Sequence, residues 1–239
     1  MSGRFEGTVV LVAGGTGALG RAVSQAFAAE GATTIVTYRQ QAEFDALIAQ
    51  SGPDASRIEG QRVDVTDEAA VQALIDGMIA GHGRLDALVN TAGGYAGGAP
   101  LWQLDAAAFD RMLALNLRSG YALTRAAVPA MLQRSAGTIV NVAAKAGVAP
   151  PAGAAAYAAS KAAALALMAS LAADLAGSGV RVNSVMPSLI DSAANRAAMP
   201  DADFATWPKP EQIAAVILFL CSAEARVIHG AAIPVYGNA

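Results

Sequence analysis

The chain alternates from end to end between short apolar, β-branched runs and longer stretches with helical periodicity. Thr8–Ala13, Thr33–Tyr38, Ile58–Val63, Leu85–Asn90, Thr138–Val142, Val180–Met186 and Ala231–Val235 are the predicted strands. Most are apolar without interruption, as strands buried on both faces are. Helices are predicted near Leu19–Glu30, Gln41–Gln50, Asp67–Ala80, Asp105–Gln133, Tyr157–Ala176 and Pro210–Cys221. Strand and helix in strict alternation predict an α/β fold: a doubly wound parallel sheet of about seven strands, covered on both sides.

No Pro- or Ser-rich linker divides the 239 residues, so a single domain over 1–239 is expected. Apolar residues make up 54% and charged residues 15%, which excludes a disordered chain. A net charge of −3 gives no electrostatic ground for a nucleic-acid partner, and no polybasic run marks a membrane surface. The apolar stretch around Ala154–Leu175 is broken by Tyr157, Lys161 and Asp174 and reads as a packed helix, not a membrane span. Met1–Glu6 leads into the first strand without room for a signal peptide, so a cytoplasmic protein is expected. Cys221 lies in an apolar helix and reads as a buried small hydrophobe. His82 and His229 lack partners at metal-ligand spacing; both are read as surface or loop residues, and no metal is expected.

Two segments break the alternation: the glycine-rich Gly93–Leu101, and Ser188–Lys209, which carries Pro200 and Pro208 with Pro210 just beyond. Long irregular segments in a compact domain are commonly functional, and 188–209 is expected on the substrate side.

The first strand runs into Gly14-Gly15-Thr16-Gly17-Ala18-Leu19-Gly20 and then a helix. Such a turn sets backbone N–H groups and the positive helix end beside a pyrophosphate, and glycine is needed where a Cβ would block the turn or the phosphate. A purely structural turn is the competing reading. Enzymes that use NAD place an acid near the end of the second strand to bind the ribose 2′-OH. Here that end reads Thr37-Tyr38-Arg39 without an acid, and Arg39 is placed to pair with a 2′-phosphate. NADPH is therefore the expected cofactor, with NADH as the alternative and a merely solvated Arg39 as the plainer reading.

Tyr157 and Lys161 are four residues apart and project from one helix face. A phenol titrates near pH 10 in water, and a nearby ammonium favours phenolate. Tyr157 is then expected to pass a proton to a substrate as hydride arrives.

Taken in order, these pieces resemble the short-chain dehydrogenase/reductase family and its Rossmann fold. The glycine turn resembles that family's Gly-x-x-x-Gly-x-Gly, with Ala18 at the middle glycine. Asp64-Val65, Asn90-Thr91-Ala92-Gly93 and Tyr157-Ala158-Ala159-Ser160-Lys161 resemble its later motifs. The resemblance implies adenine contact at Asp64 and Val65, and cofactor contact at Asn90, Ala92, Gly93, Pro187 and Ile190. It also implies a ribose contact by Lys161, a water relay supported by Asn116, and homodimers or homotetramers through the Tyr157 helix and the one before it.

The family normally carries a serine thirteen residues before the tyrosine; this chain has Ala144. Loss of such a donor costs about 10²–10³ in rate in other enzymes. Dihydropteridine reductases share that loss, and the chain resembles them at Gly14–Gly20, at Ala92–Gly98 with Tyr95 for their tryptophan, at Ala144-Lys145-Ala146, and at Asn195–Phe204. Tyr95, Trp102, Met199, Phe204 and Trp207, with Ala144, are the expected wall of a flat apolar substrate pocket, ordinary packing being the other reading. The expectation is an NADPH-dependent oxidoreductase acting on a small carbonyl-like or quinonoid, dihydropterin-like substrate. The alternatives are a reductase of 3-oxoacyl thioesters or general carbonyls, and a non-catalytic NADPH-binding protein.

Overall fold

The computed structural model describes residues 3–238; Met1 and Ser2, part of the segment read as leaderless, lie outside them. Seven parallel strands form one sheet in the order β3-β2-β1-β4-β5-β6-β7. They are β1 (Val9–Ala13), β2 (Thr33–Tyr38), β3 (Ile58–Arg62), β4 (Ala87–Asn90), β5 (Gly137–Val142), β6 (Val180–Pro187) and β7 (Ala232–Val235). The helices are α1 (Ala18–Ala29), α2 (Gln41–Gln50), α3 (Glu68–His82), α4 (Ala106–Leu113), α5 (Ser119–Gln133), α6 (Ala155–Asp174), α7 (Ala193–Ala198) and α8 (Pro210–Cys221). The expected single-domain Rossmann architecture is thus present.

Alternation along β1 builds both halves of the core. Val9, Leu11 and Ala13 join Ile75 of α3, Leu123 of α5 and Met168 of α6 on one side. Val10 and Val12 join Phe27 of α1, Leu47 of α2 and Ile217 of α8 on the other. Each fully buried Leu, Ile or Phe stabilises by about 1.5–3 kcal/mol. Truncating one, as in Leu11→Ala, costs about 2–5 kcal/mol because the cavity collapses only in part. By length and composition α6 could span a membrane; here it is a covering helix with Ala156, Ala164, Met168 and Ala172 turned inward.

Where sequence periodicity predicts one helix over Asp105–Gln133, a π turn at Ala114–Arg118 separates α4 from α5. Its cause is tertiary. Asn116 on that turn is buried and bonded to groups outside the helix, and π turns of this kind recur at functional sites.

The direction of strand order reverses between β1 and β4. In open α/β sheets the crevice at the carboxyl ends of such a pair is where ligands sit. The glycine turn follows β1, and the Asn90–Gly98 segment follows β4.

Candidate active site

The glycine turn closes on itself through the Gly17 N–H, which donates to the Gly14 carbonyl at 3.1 Å. Gly14 has φ +73°, and a Cβ there would meet Ala92 backbone at 3.0 Å. A Cβ on Gly20 would lie 2.1 Å from the Gly14 oxygen and 2.7 Å from Thr91 Oγ1. A Cβ on Gly15 would strike Val36 at 2.6 Å. These three glycines are therefore demanded by the fold itself. Gly17 differs: a Cβ there would meet only the Gly14 oxygen, at an ordinary 3.5 Å. Gly17 and Ala18 are exposed, while Thr16 and Leu19 are buried beneath them. Gly17 caps α1 without any side-chain bond, so its first-turn N–H groups face outward without a capping oxygen. An uncapped helix start beneath an open glycine turn suits a pyrophosphate, and the residues present fit a dinucleotide.

The turn is joined to the other half of the site by the segment after β4. Thr91 donates from its N–H to the Ala13 carbonyl at 2.9 Å, and its hydroxyl reaches the Ala13 carbonyl at 2.7 Å and the Gly14 carbonyl at 3.2 Å. Asn90 accepts from the Ala92 N–H at 3.2 Å and donates to Asn141 Oδ1 at 3.0 Å. One residue on, a Cβ at Gly93 would lie 2.7 Å from Asn116 Oδ1 and 3.3 Å from Lys161 Nζ. The phosphate turn and the Tyr157–Lys161 face are thus parts of one crevice.

Asn116 acts as a clamp. Its Oδ1 accepts from the Gly94 N–H at 3.0 Å, and its Nδ2 donates to the Gly94 carbonyl and to Ser160 Oγ, each at 3.0 Å. Ser160 in turn donates to the Tyr157 carbonyl at 2.7 Å. Asn116 therefore positions the glycine-rich loop against the helix that carries Tyr157.

Lys161 is buried and its Nζ donates to the Val142 carbonyl at 2.9 Å. Burial holds its ammonium down at about 8. Tyr157 departs from the sequence expectation: burial first, then the neighbouring Tyr95, push its phenol above its ordinary value. The Lys161 ammonium is bonded to the Val142 carbonyl and makes no bond to the phenol. The Tyr95 ring meets the Tyr157 ring edge-to-face, with centroids 5.0 Å apart.

Ala144 follows β5, buried and extended, and starts the 3₁₀ turn Lys145–Gly147 against α6. It supplies no hydroxyl. Trp207 is buried and its ring lies 5.0 Å from Phe204, whose face carries Arg196 at 4.8 Å. Trp207 is therefore a packing residue of the 188–209 segment and not an exposed pocket wall, a correction whose cause is that stacking. Trp102 is 84% exposed. Met199 lies just past α7, partly buried. That helix, inside a segment read as irregular, is capped by Ser192 and braced by the Asp191–Arg196 ion pair at 2.5 Å. Pro187 ends β6 buried, and the Ile190 carbonyl accepts from Asn195 Nδ2 at 2.8 Å.

At the adenosine end, the Gly14 N–H donates to Thr37 Oγ1 at 2.9 Å, which ties the turn to the end of β2. Arg39 is exposed there, and Tyr38 stacks on Phe44 with centroids 4.9 Å apart. Asp64 is exposed; bonds from the Thr66 N–H and hydroxyl, then the charge of Arg39, hold its carboxyl below the usual range. Val65 is buried in the core. Sequence reasoning missed Glu43, whose carboxylate accepts from Thr16 Oγ1 at 3.1 Å. Its only sequence signal is an acid in the first turn of α2.

Elsewhere, burial pushes the Cys221 thiol up to about 12, so it is inert. Among the described residues no three His, Cys, Asp or Glu side chains are grouped for a metal.

The chain is 31% identical to a 3-oxoacyl-[acyl-carrier-protein] reductase from Thermotoga maritima, over 98% of each chain. It is 35% identical to a D-threitol dehydrogenase from Mycolicibacterium smegmatis, over 98% of this chain and 94% of that one. Its fold is similar to that of a xylitol dehydrogenase solved with NAD+, at TM-score 0.90 and 26% identity, over 98% and 99% of the two chains. Residues 8–203 match the short chain dehydrogenase model, so this chain belongs to the short-chain dehydrogenase/reductase family of nicotinamide-dependent oxidoreductases.

Proposed function

We propose that the protein is an NADPH-dependent reductase of a small, already electrophilic substrate, with Tyr157 as the proton donor. The observation that carries this reading is a placement: the helix that carries Tyr157 and Lys161 brings Lys161 against Gly93, in the segment whose Thr91 and Ala92 pack on the glycine turn.

When bound, a reduced nicotinamide supplies hydride. Gly14–Gly20, with the outward N–H groups of α1, would hold its pyrophosphate, and Arg39 a 2′-phosphate. Lys161 would hold the nicotinamide ribose with the N–H donors that its bond to the Val142 carbonyl leaves over. Its positive charge, one helical turn from Tyr157, would stabilise the phenolate left once the proton has passed to substrate. Asn116 keeps the Gly93–Gly94 backbone in place.

The substrate reading rests on Ala144. Without a hydroxyl at that position a simple ketone lacks a donor for its developing oxyanion. A quinonoid ring such as a quinonoid dihydropterin is electrophilic without that help, and the Tyr95 ring beside Tyr157 offers a flat apolar neighbour. The second reading, a general carbonyl or 3-oxoacyl-thioester reductase, is favoured by the name of the Thermotoga maritima relative. A nucleotide-binding protein without turnover is the third.

We further propose a cytoplasmic homo-oligomer joined through α5 and α6. An open groove between them is lined by Tyr121, Val128, Pro129, Leu167 and Leu171, with Arg125 and Asp174 at its rim. Sedimentation at micromolar concentration checks this, and a monomer would refute it.

The decisive assay is NADPH oxidation by purified protein against ketones, acyl thioesters, quinones and quinonoid dihydropterins. Turnover confined to quinonoid rings is expected. Efficient ketone or thioester reduction transfers the case to the second reading, and binding without turnover on the whole panel to the third.

A further inference from the structure

The corner that chooses between the two nicotinamide dinucleotides holds an acid from an unexpected element. The end of β2, where a selecting carboxylate is usually sought, carries none. Glu43, in the first turn of α2, instead reaches back to the glycine turn and accepts from the Thr16 hydroxyl at 3.1 Å. Thr16 itself is buried in the turn, and Arg21 donates to its carbonyl at 3.4 Å while also bonding Gln50. The same corner is basic on its far side. Arg62 stands in register with Tyr38, and its Nε donates to the Arg39 carbonyl at 3.1 Å. The Gly14–Thr37 bond fixes the turn that carries Thr16 and its Glu43 partner against the strand end that leads into Arg39.

We infer that Glu43 limits the preference for the phosphorylated dinucleotide, opposing a 2′-phosphate that Arg39 and Arg62 attract. A 2′-phosphate brings about two negative charges to this corner. A fixed carboxylate on the turn repels them, whereas it can accept a hydrogen bond from an unphosphorylated ribose hydroxyl. The arginines act in the other direction through charge-assisted bonds. Selectivity here is the balance of these groups, and no single residue at the strand end decides it. The inference rests on the proposed binding of the dinucleotide at the glycine turn.

The test is calorimetric titration of the purified protein with NADP+ and with NAD+, which needs no substrate. Glu43→Gln keeps an oxygen that can accept from Thr16 and removes the charge. It is expected to shift the ratio of the two dissociation constants towards NADP+ by about tenfold, equivalent to one pKa unit of differential interaction. Glu43→Lys should shift it further the same way, and Arg62→Ala should shift it towards NAD+. An unchanged ratio in both Glu43 variants, with wild type binding either nucleotide, overturns the inference alone. No binding of either nucleotide to the wild type overturns it together with the proposed function.

Discussion

The ε-ammonium of Lys161 donates to the carbonyl of Val142 at 2.9 Å, so helix α6 and the terminus of β5 are joined by one buried charge. Burial lowers that ammonium from 10.5 to about 8. The unfolded chain keeps the proton until about pH 10.5, while the folded chain releases it near 8. In that window the unfolded state binds more protons, so stability due to this group rises with pH. The full difference is about 3 kcal/mol. Urea unfolding of wild type and Lys161→Met at pH 7 and above 10 checks it. The wild type is expected to gain on the variant as pH rises; parallel curves would show that burial does not perturb Lys161.

Tyr157→Phe removes the hydroxyl and leaves the ring against Tyr95. Loss of a general acid costs about 10²–10⁴ in rate. A fall of that size in kcat is expected, with nucleotide affinity within about twofold of wild type. Retained turnover would assign the proton to another group.

Ala144→Ser is the converse experiment. The position is buried and extended beside α6, so a hydroxyl adds little volume. Simple ketone reduction is expected to rise by about 10²-fold, in line with the usual worth of one oxyanion donor. A flat response would mean that the site as built does not bring a carbonyl to residue 144.

Much of this fold was legible because its signals are local. The apolar runs of β1, β2 and β6, the glycine turn and the i, i+4 placement of Tyr157 and Lys161 each depend on neighbours in sequence. What was not legible is long-range. Asn116 leaves the α4–α5 ladder because Gly94 and Ser160, far away in sequence, bind its amide. Glu43 looked like a solvated helix residue until α2 was set beside the glycine turn. Trp207 looked like a pocket wall, since composition cannot tell an aromatic that meets a ligand from one stacked on Phe204. Likewise His229 is a loop residue, as read, yet its ring joins β6 to α6, accepting from the Val182 N–H at 3.2 Å and bonding the Ala172 carbonyl at 2.7 Å.

His229 therefore has a measurable role. With Nδ1 accepting, Nε2 carries the proton given to Ala172. His229→Ala removes both bonds, and chemical denaturation is expected to register a loss of about 1–2 kcal/mol. Because the residue is remote from the crevice, kcat below the melting transition should not move. A drop in kcat without a drop in stability would contradict this division.

Gly17 and Gly20 separate what the fold needs from what the ligand needs. A Cβ on Gly20 would lie 2.1 Å from the Gly14 carbonyl oxygen, inside any tolerable contact, so Gly20→Ala must distort the turn. Overpacking of this kind costs about 1–3 kcal/mol, and both melting temperature and nucleotide affinity should fall. At Gly17 φ is −68° and the added methyl meets nothing closer than 3.5 Å. Gly17→Ala should leave stability unchanged or raise it by about 0.4–1 kcal/mol through the unfolded chain. Its methyl would nevertheless stand in the opening over the uncapped start of α1, where the phosphates must approach the N–H groups. The expected signature is a melting temperature at or above wild type with a dissociation constant for dinucleotide raised at least about tenfold. Equal affinity in Gly17→Ala and wild type would place the phosphates elsewhere and remove the geometric basis for bringing a nicotinamide to Tyr157.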